Sequence, residues 1–195
     1  EKAERIWQEQ KANELCRKIN AKQGTVRDSA KRTTQLSPLL FDLTSLQREA
    51  NNRFGFSAKT TLALAQSLYE KHKVLTYPRT DAKALPEDYI PTVQNTLKVI
   101  AEMPRYAGNA NEVLSHRWVK PSKRVFDNSK ISDHFAIIPT LQAPKKLSEA
   151  EEKIYDLVVK RFLAVFYPAA EYDVTTRITT VENETLKTEG KVLVK

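Results

Sequence analysis

A phenol and a guanidinium stand two residues apart in the run VLTYPRTD, where Pro78 separates Tyr77 from Arg79. Proline fixes its own φ and disfavours helical backbone in the residue before it, so Tyr77 is expected to be extended. Side chains two apart on an extended segment point the same way, which lets Tyr77 and Arg79 address one ligand. A phosphodiester suits that pair. The phenol oxygen can attack phosphorus while the guanidinium holds the non-bridging oxygens through two hydrogen bonds. An ordinary phenol, with a pKa of about 10, is ionised in roughly one molecule in a thousand at pH 7, so the attack calls for a cation or a base nearby. The run ISDHFAIIPT offers His134, with the apolar residues from Ala136 to Pro139 behind it as an anchor. An imidazole held in this way can meet a phosphate or relay a proton. Taken alone, each motif also has a structural reading: a Tyr-Pro at a strand end, and a histidine satisfied beside isoleucines.

These side chains need elements to hold them. Ser57 caps a helix AKTTLALAQSLYEKHK (58–73) with Leu62, Ala65, Leu68 and Tyr69 facing inward, and that helix runs straight into the tyrosine segment. Ahead of it Asp42 caps LTSLQREANNRF, which Gly55 closes. Pro86, followed by Glu87 and Asp88, opens a helix to about Glu102. Residues 104–133 show no periodicity and read as a long loop. Ser148-x-x-Glu151 is a capping box for a helix with Ile154, Leu157, Val158, Phe162 and Val165 on one side, stopped by Pro168.

Toward both ends the pattern changes. Residues 3–22 carry Ile6, Trp7, Leu15, Cys16 and Ile19 at helical spacing, with Gly24 as the stop, and residues 25–35 read as a polar strand or arm. YDVTTRITTVE alternates with period two, turns at Asn183–Glu184 and returns as TLKTEGKVLVK, a hairpin expected to pack on the N-terminal arm. The fold class is therefore α+β and mainly α. Residues 37–170 form a mainly helical, tyrosine-bearing domain inserted into a small β-containing unit built from residues 1–36 and 171–195.

Composition narrows the chemistry. With 4 glycines in 195 residues, and no G-x-G-x-x-G or G-x-x-x-x-G-K-[ST] run, the known glycine-rich nucleotide loops are excluded. Cys16 is the single cysteine, so no internal disulfide is possible; its place on the stripe predicts a core filler. His72, His116 and His134 share no metal-ligand spacing. There is no apolar run of membrane-spanning length and no leader, which points to the cytoplasm. The net charge of +8 favours a polyanionic partner, nucleic acid first. Candidate backbone contacts are Arg27, Lys31, Arg32, Arg48, Arg53, Lys59, Lys120, Lys123 and Arg124.

FDLTSLQREANNRFGFSAKTTLALAQSLYEKHKVLTYPRTDAKALPEDY, followed at a distance by SDHFAIIPT, resembles the type IA DNA topoisomerases, most like the bacterial topoisomerase III group, from about Leu39 to Asp173. The resemblance implies that Tyr77 attacks one DNA strand to form a 5′-phosphotyrosyl bond, that Arg79 positions the scissile phosphate and that His134 contacts the backbone near the break. Gln66, Glu70, Thr76, Thr80 and Asp81 match neighbouring active-site positions, and Asp81 is placed to orient His134 or Arg79. It implies strand passage and resealing without ATP, acting on single-stranded or underwound duplex DNA, in a monomer of the cytoplasm associated with the nucleoid. Ala82 and Phe135 depart from the family pattern, at positions where serine and histidine or glutamate are frequent. Family members also carry an acidic toprim domain that binds Mg²⁺, and no D-x-D pattern occurs here. The chain is thus expected to be the strand-gate region with part of the hinge, binding no cofactor itself and inactive alone in relaxation. The alternative reading is a non-catalytic DNA-binding module that kept the fold. A tyrosine recombinase is excluded, because that chemistry uses H-x-x-R and none is present.

Overall fold

The computed structural model describes residues 6–194. It is α+β and mainly helical, with six α-helices and three strands among those residues. The chain divides into two compact units, one from its two ends, through Gln35 and from Ala169 onward, and one from Leu36–Pro168.

In the first unit, α1 (Glu9–Ile19) is followed by β1 (Thr25–Gln35), β2 (Ala170–Val181) and β3 (Glu184–Leu193). The strands form one antiparallel sheet in the order β1-β2-β3, with Thr25 opposite Thr180 and Gln35 opposite Ala170. The β2–β3 turn falls on Glu182 and Asn183, at φ 49° and 65°, one residue earlier than the sequence suggested. Two positive φ values in a two-residue loop match the right-handed twist of the flanking strands. Cross-strand pairs hold the register: Arg32 grips Asp173 at 3.0 and 3.2 Å, and Arg177 grips Asp28 at 2.8 and 2.7 Å. Gly24 is needed where β1 begins, since a Cβ there would lie 2.6 Å from Val181 Cγ2 and 2.9 Å from the Thr180 carbonyl oxygen. Helix α1 buries none of its residues, and Cys16 is exposed rather than a core filler. Its half-buried line is Ala12, Leu15 and Ile19, and Cys16 sits beside that line instead of on it. The part of the expected N-terminal helix before Ile6 lies outside the described residues.

The second unit holds the core. Asp42 caps α2 (Leu43–Phe54) by accepting from the Ser45 amide at 2.8 Å, and Gly55 closes it at φ 69°. Gln47 and Asn51 donate to the Ala58 and Phe56 carbonyls, fixing the turn into α3 (Ala58–Glu70), which Ser57 caps. Helix α3 ends three residues before the sequence reading. Lys73 adopts φ 60° and the Val74 amide turns back to the Leu68 carbonyl, which releases the chain into an extended run. A short 3-10 turn (Glu87–Tyr89) precedes α4 (Ile90–Ala101).

The expected loop of residues 104–133 contains a helix, α5 (Ala107–Ser115), that buries Ala110 and Val113. Two small contacts on a nine-residue helix leave too weak a stripe to read from sequence. Helix α6 (Glu149–Ala164) starts at the expected capping box and buries Ile154, Val158 and Phe162 completely. Among the described residues no helix is long and apolar enough to cross a membrane.

Candidate active site

Tyr77 follows a segment stitched into the core. The Thr76 amide donates to the Ile138 carbonyl at 3.0 Å, and the Thr140 amide to the Val74 carbonyl at 3.0 Å. Leu75 and Pro139 form an antiparallel bridge, and Ile137 bridges Phe41. Leu75, Ile137 and Ile138 are only about 1% exposed, so the apolar run after His134 is the far side of this stitch.

Two threonines flank the tyrosine and do structural work. Thr76 Oγ1 donates to the Ala136 carbonyl at 3.0 Å and accepts from the Ile138 amide at 2.9 Å. Thr80 Oγ1 donates to the His134 carbonyl at 3.0 Å and accepts from the Ala82 amide at 3.1 Å. The Thr80 carbonyl in turn accepts from the Leu43 amide at the start of α2. The tyrosine segment and the histidine loop are thereby clamped together on either side of Tyr77.

The result is an aromatic sandwich. The His134 ring lies 4.3 Å from the Tyr77 ring, centroid to centroid, tilted by 47°. On another side Tyr69 of α3 meets Tyr77 edge-on at 5.4 Å and 76°. Tyr77 is half-buried and His134 is exposed, so the phenol borders solvent with an imidazole at its flank. Arg79 is exposed and makes no hydrogen bond or ion pair among the described residues, which leaves its guanidinium available to an anion. The backbone bends at Pro78 and Arg79 rather than continuing extended, so period-two alternation does not set the direction of Arg79.

The remaining candidates separate. Gln66 donates to Glu70 at 2.6 Å along α3, while its own Oε1 is buried and meets no donor among the described residues. Both lie on the face of α3 that carries Tyr69, one turn apart. Asp81 is exposed and bonds neither His134 nor Arg79, so it orients neither. The sequence marks Tyr69 only as a core-facing residue. Its i+3 spacing from Gln66 was the available signal for its place at the site. Of the basic candidates, Arg32, Arg53 and Lys123 are engaged by carboxylates and Arg124 by the Ser37 carbonyl, while Arg48, Lys59 and Lys120 make no such pair among the described residues. Among the described residues no three histidine, cysteine or acidic side chains converge as a group that could hold a metal ion.

The family profile described as "DNA topoisomerase" matches residues 1–195. This chain belongs to the type IA DNA topoisomerases. It is 44% identical over 192 residues to DNA topoisomerase 3 of Bacillus cereus strain ATCC 14579, and 41% identical over 195 residues to DNA topoisomerase 3 of Bacillus subtilis strain 168. Those alignments cover 97% and 98% of this chain but 26% of each relative, so the topoisomerase segment spans about a quarter of their length. Among solved structures, full-length topoisomerase I of Thermotoga maritima matches all of this chain over 31% of its own, with a TM-score of 0.62 at 23% identity. That likeness is one of fold.

Proposed function

We propose that this chain is the tyrosine-bearing portion of a topoisomerase active site. Tyr77 Oη attacks a phosphorus of one DNA strand; the P–Oη bond forms, the P–O3′ bond breaks, and the phenol proton leaves with a base as the 3′-oxygen takes one up. The 5′-phosphotyrosyl ester keeps the bond energy, so the 3′-hydroxyl reseals the strand without ATP after another strand has passed. The observation that carries the reading is the half-buried Tyr77 ring against the exposed His134 ring, beside an unengaged Arg79. Arg79 neutralises the non-bridging oxygens, with the fork geometry that suits a phosphate. His134 holds the phosphate or moves the proton.

The acid/base glutamate, a second cation and Mg²⁺ belong to a toprim domain of the same polypeptide, so this chain alone relaxes no supercoils. The test is covalent trapping of an end-labelled single strand by a polypeptide that carries both parts, with Mg²⁺ present. A labelled adduct is expected from the wild type and none from Tyr77→Phe. Adduct from the phenylalanine variant would put the nucleophile elsewhere, and none from the wild type would leave the chain a DNA-binding module.

A further inference from the structure

Cleavage through Tyr77 leaves the 5′-phosphoryl end of the strand tied to this chain, so the nucleotides beyond the break must cross its surface. On the α3 side of Tyr77 the route is basic. The Tyr69 ring touches Tyr77, and Lys73 Nζ sits 5.7 Å above the Tyr69 ring with no carboxylate partner among the described residues. Lys73 also borders a cavity of about 280 Å³, with Thr92, Thr140 and Gln142 in its wall. Its carbonyl accepts from Thr140 Oγ1 at 2.6 Å, which ties the start of the next segment to the tyrosine loop.

That segment leads to a second cavity. Pro139 to Gln142 wall the first, and Pro144 to Leu147 wall another of about 330 Å³ whose rim carries Arg105, Lys145 and Lys146. From Thr140 to Lys145 the chain spans at most about 17 Å at full extension, a distance a short oligonucleotide bridges. Lys145 and Lys146 are exposed and form no ion pair among the described residues. Arg105 bonds Asp156 at 3.0 Å, but Lys160 bonds the same carboxylate at 2.8 Å, so two cations meet one anion there. Glu152 is the opposing charge in the wall of the second cavity.

We propose that residues 139–147 and the two cavities they wall form a track for the phosphodiester backbone of a single DNA strand, which Lys73, Lys145 and Lys146 hold on the far side of the break from its 3′-hydroxyl. The assignment rests on the function proposed above. It uses charge complementarity with a polyanion, and a position continuous with Tyr77 through Tyr69 and Lys73.

The test measures binding of a fluorescent oligothymidylate by the 195-residue chain across a salt series. Lys73→Gln, Lys145→Gln and Lys146→Gln are combined in one variant; Lys11→Gln, Lys22→Gln and Lys98→Gln, an equal loss of charge at exposed positions outside the candidate DNA contacts, are combined in a second. Since each lost phosphate contact removes about 0.7 from the slope of log affinity against log salt, the track variant should lose about 2 from that slope and about tenfold or more in affinity at low salt, and the second variant much less. Equal losses in both would reduce the effect to net charge and overturn the track alone. A wild-type chain that captures no strand at low salt would overturn the function reading and the track with it. All six lysines are exposed, so the folding of both variants is checked by an unchanged thermal melt.

Discussion

At the scale of single residues, the nucleophile is fixed by its neighbours rather than by its own backbone alone. Tyr77 has two aromatic contacts, with His134 at 4.3 Å and Tyr69 at 5.4 Å, and these restrict the swing of the phenol. An edge-to-face pair is worth about 0.5–1.5 kcal/mol beyond buried area. If Tyr69 positions the ring, Tyr69→Ala should slow covalent adduct formation by up to about tenfold, because 1.4 kcal/mol corresponds to tenfold. Tyr69→Phe keeps the ring and should stay within about twofold. Single-strand affinity should change by no more than about twofold in either variant, since the phosphate contact on that side of Tyr77 is assigned to Lys73 rather than to the Tyr69 ring. An alanine variant that loses binding and cleavage in parallel would show a general structural role instead. The guanidinium of Arg79 differs in kind: no hydrogen bond or ion pair among the described residues orders it, so its placement comes with the anion it meets.

At the scale of elements, α3 and α6 are joined by a buried carboxylate. Glu151 accepts from the Ser148 amide and hydroxyl at 2.8 Å each, from the Ser67 hydroxyl at 2.7 Å, and faces His72 Nε2 at 3.2 Å. The Ser148 amide first, then the Ser67 hydroxyl, hold its pKa down to about 2 from an ordinary 4.5. A depressed carboxylate pKa stabilises the fold above the unfolded value, and that contribution fades as pH falls through the folded one. Glu151→Gln should therefore cost about 1–3 kcal/mol near neutral pH, and the gap from wild type should shrink from pH 4.5 down to about 2. Chemical denaturation along that range measures it, and a pH-independent gap would place the effect in packing. The caps at Asp42, Gly55, Ser57 and Ser148 were legible in the sequence because each needs only residues three or four apart. Helix α5 was not, because Ala110 and Val113 make too short an apolar stripe to read, and the helix packs chiefly on its neighbour α4. The site was legible only in part. Tyr77 and His134 stand in recognisable runs, whereas the Leu75–Pro139 and Phe41–Ile137 bridges and the bend at Pro78 arise from long-range pairing that short-range patterns do not encode.

At the scale of the whole molecule, the two units differ in what holds them. The Leu36–Pro168 unit closes over a core that runs from Leu40 and Phe41 through Leu97 and Ile138 to Phe162, all at 1% exposure or less. Among its described residues the unit of the chain ends buries only Val181 of its apolar side chains, while Val26, Val192 and Leu193 are exposed. Its order comes from ladder hydrogen bonds and from ion pairs such as Arg32–Asp173, which lie open to solvent and are worth little each. Three strands need an apolar face to be stable alone, and this sheet shows none of that size among the described residues. Residues 36–168 expressed by themselves should thus melt in one cooperative transition at nearly the temperature of the full chain. The two end segments, joined by a flexible linker, should show no cooperative transition, and their strand signal should weaken further in high salt as the ion pairs are screened. Circular dichroism on the two polypeptides decides the matter. A sharp melt from the sheet unit would mean that its ladder and ion pairs suffice to hold it, and a lost transition from residues 36–168 would mean that the core described above does not suffice to hold Tyr77 against His134.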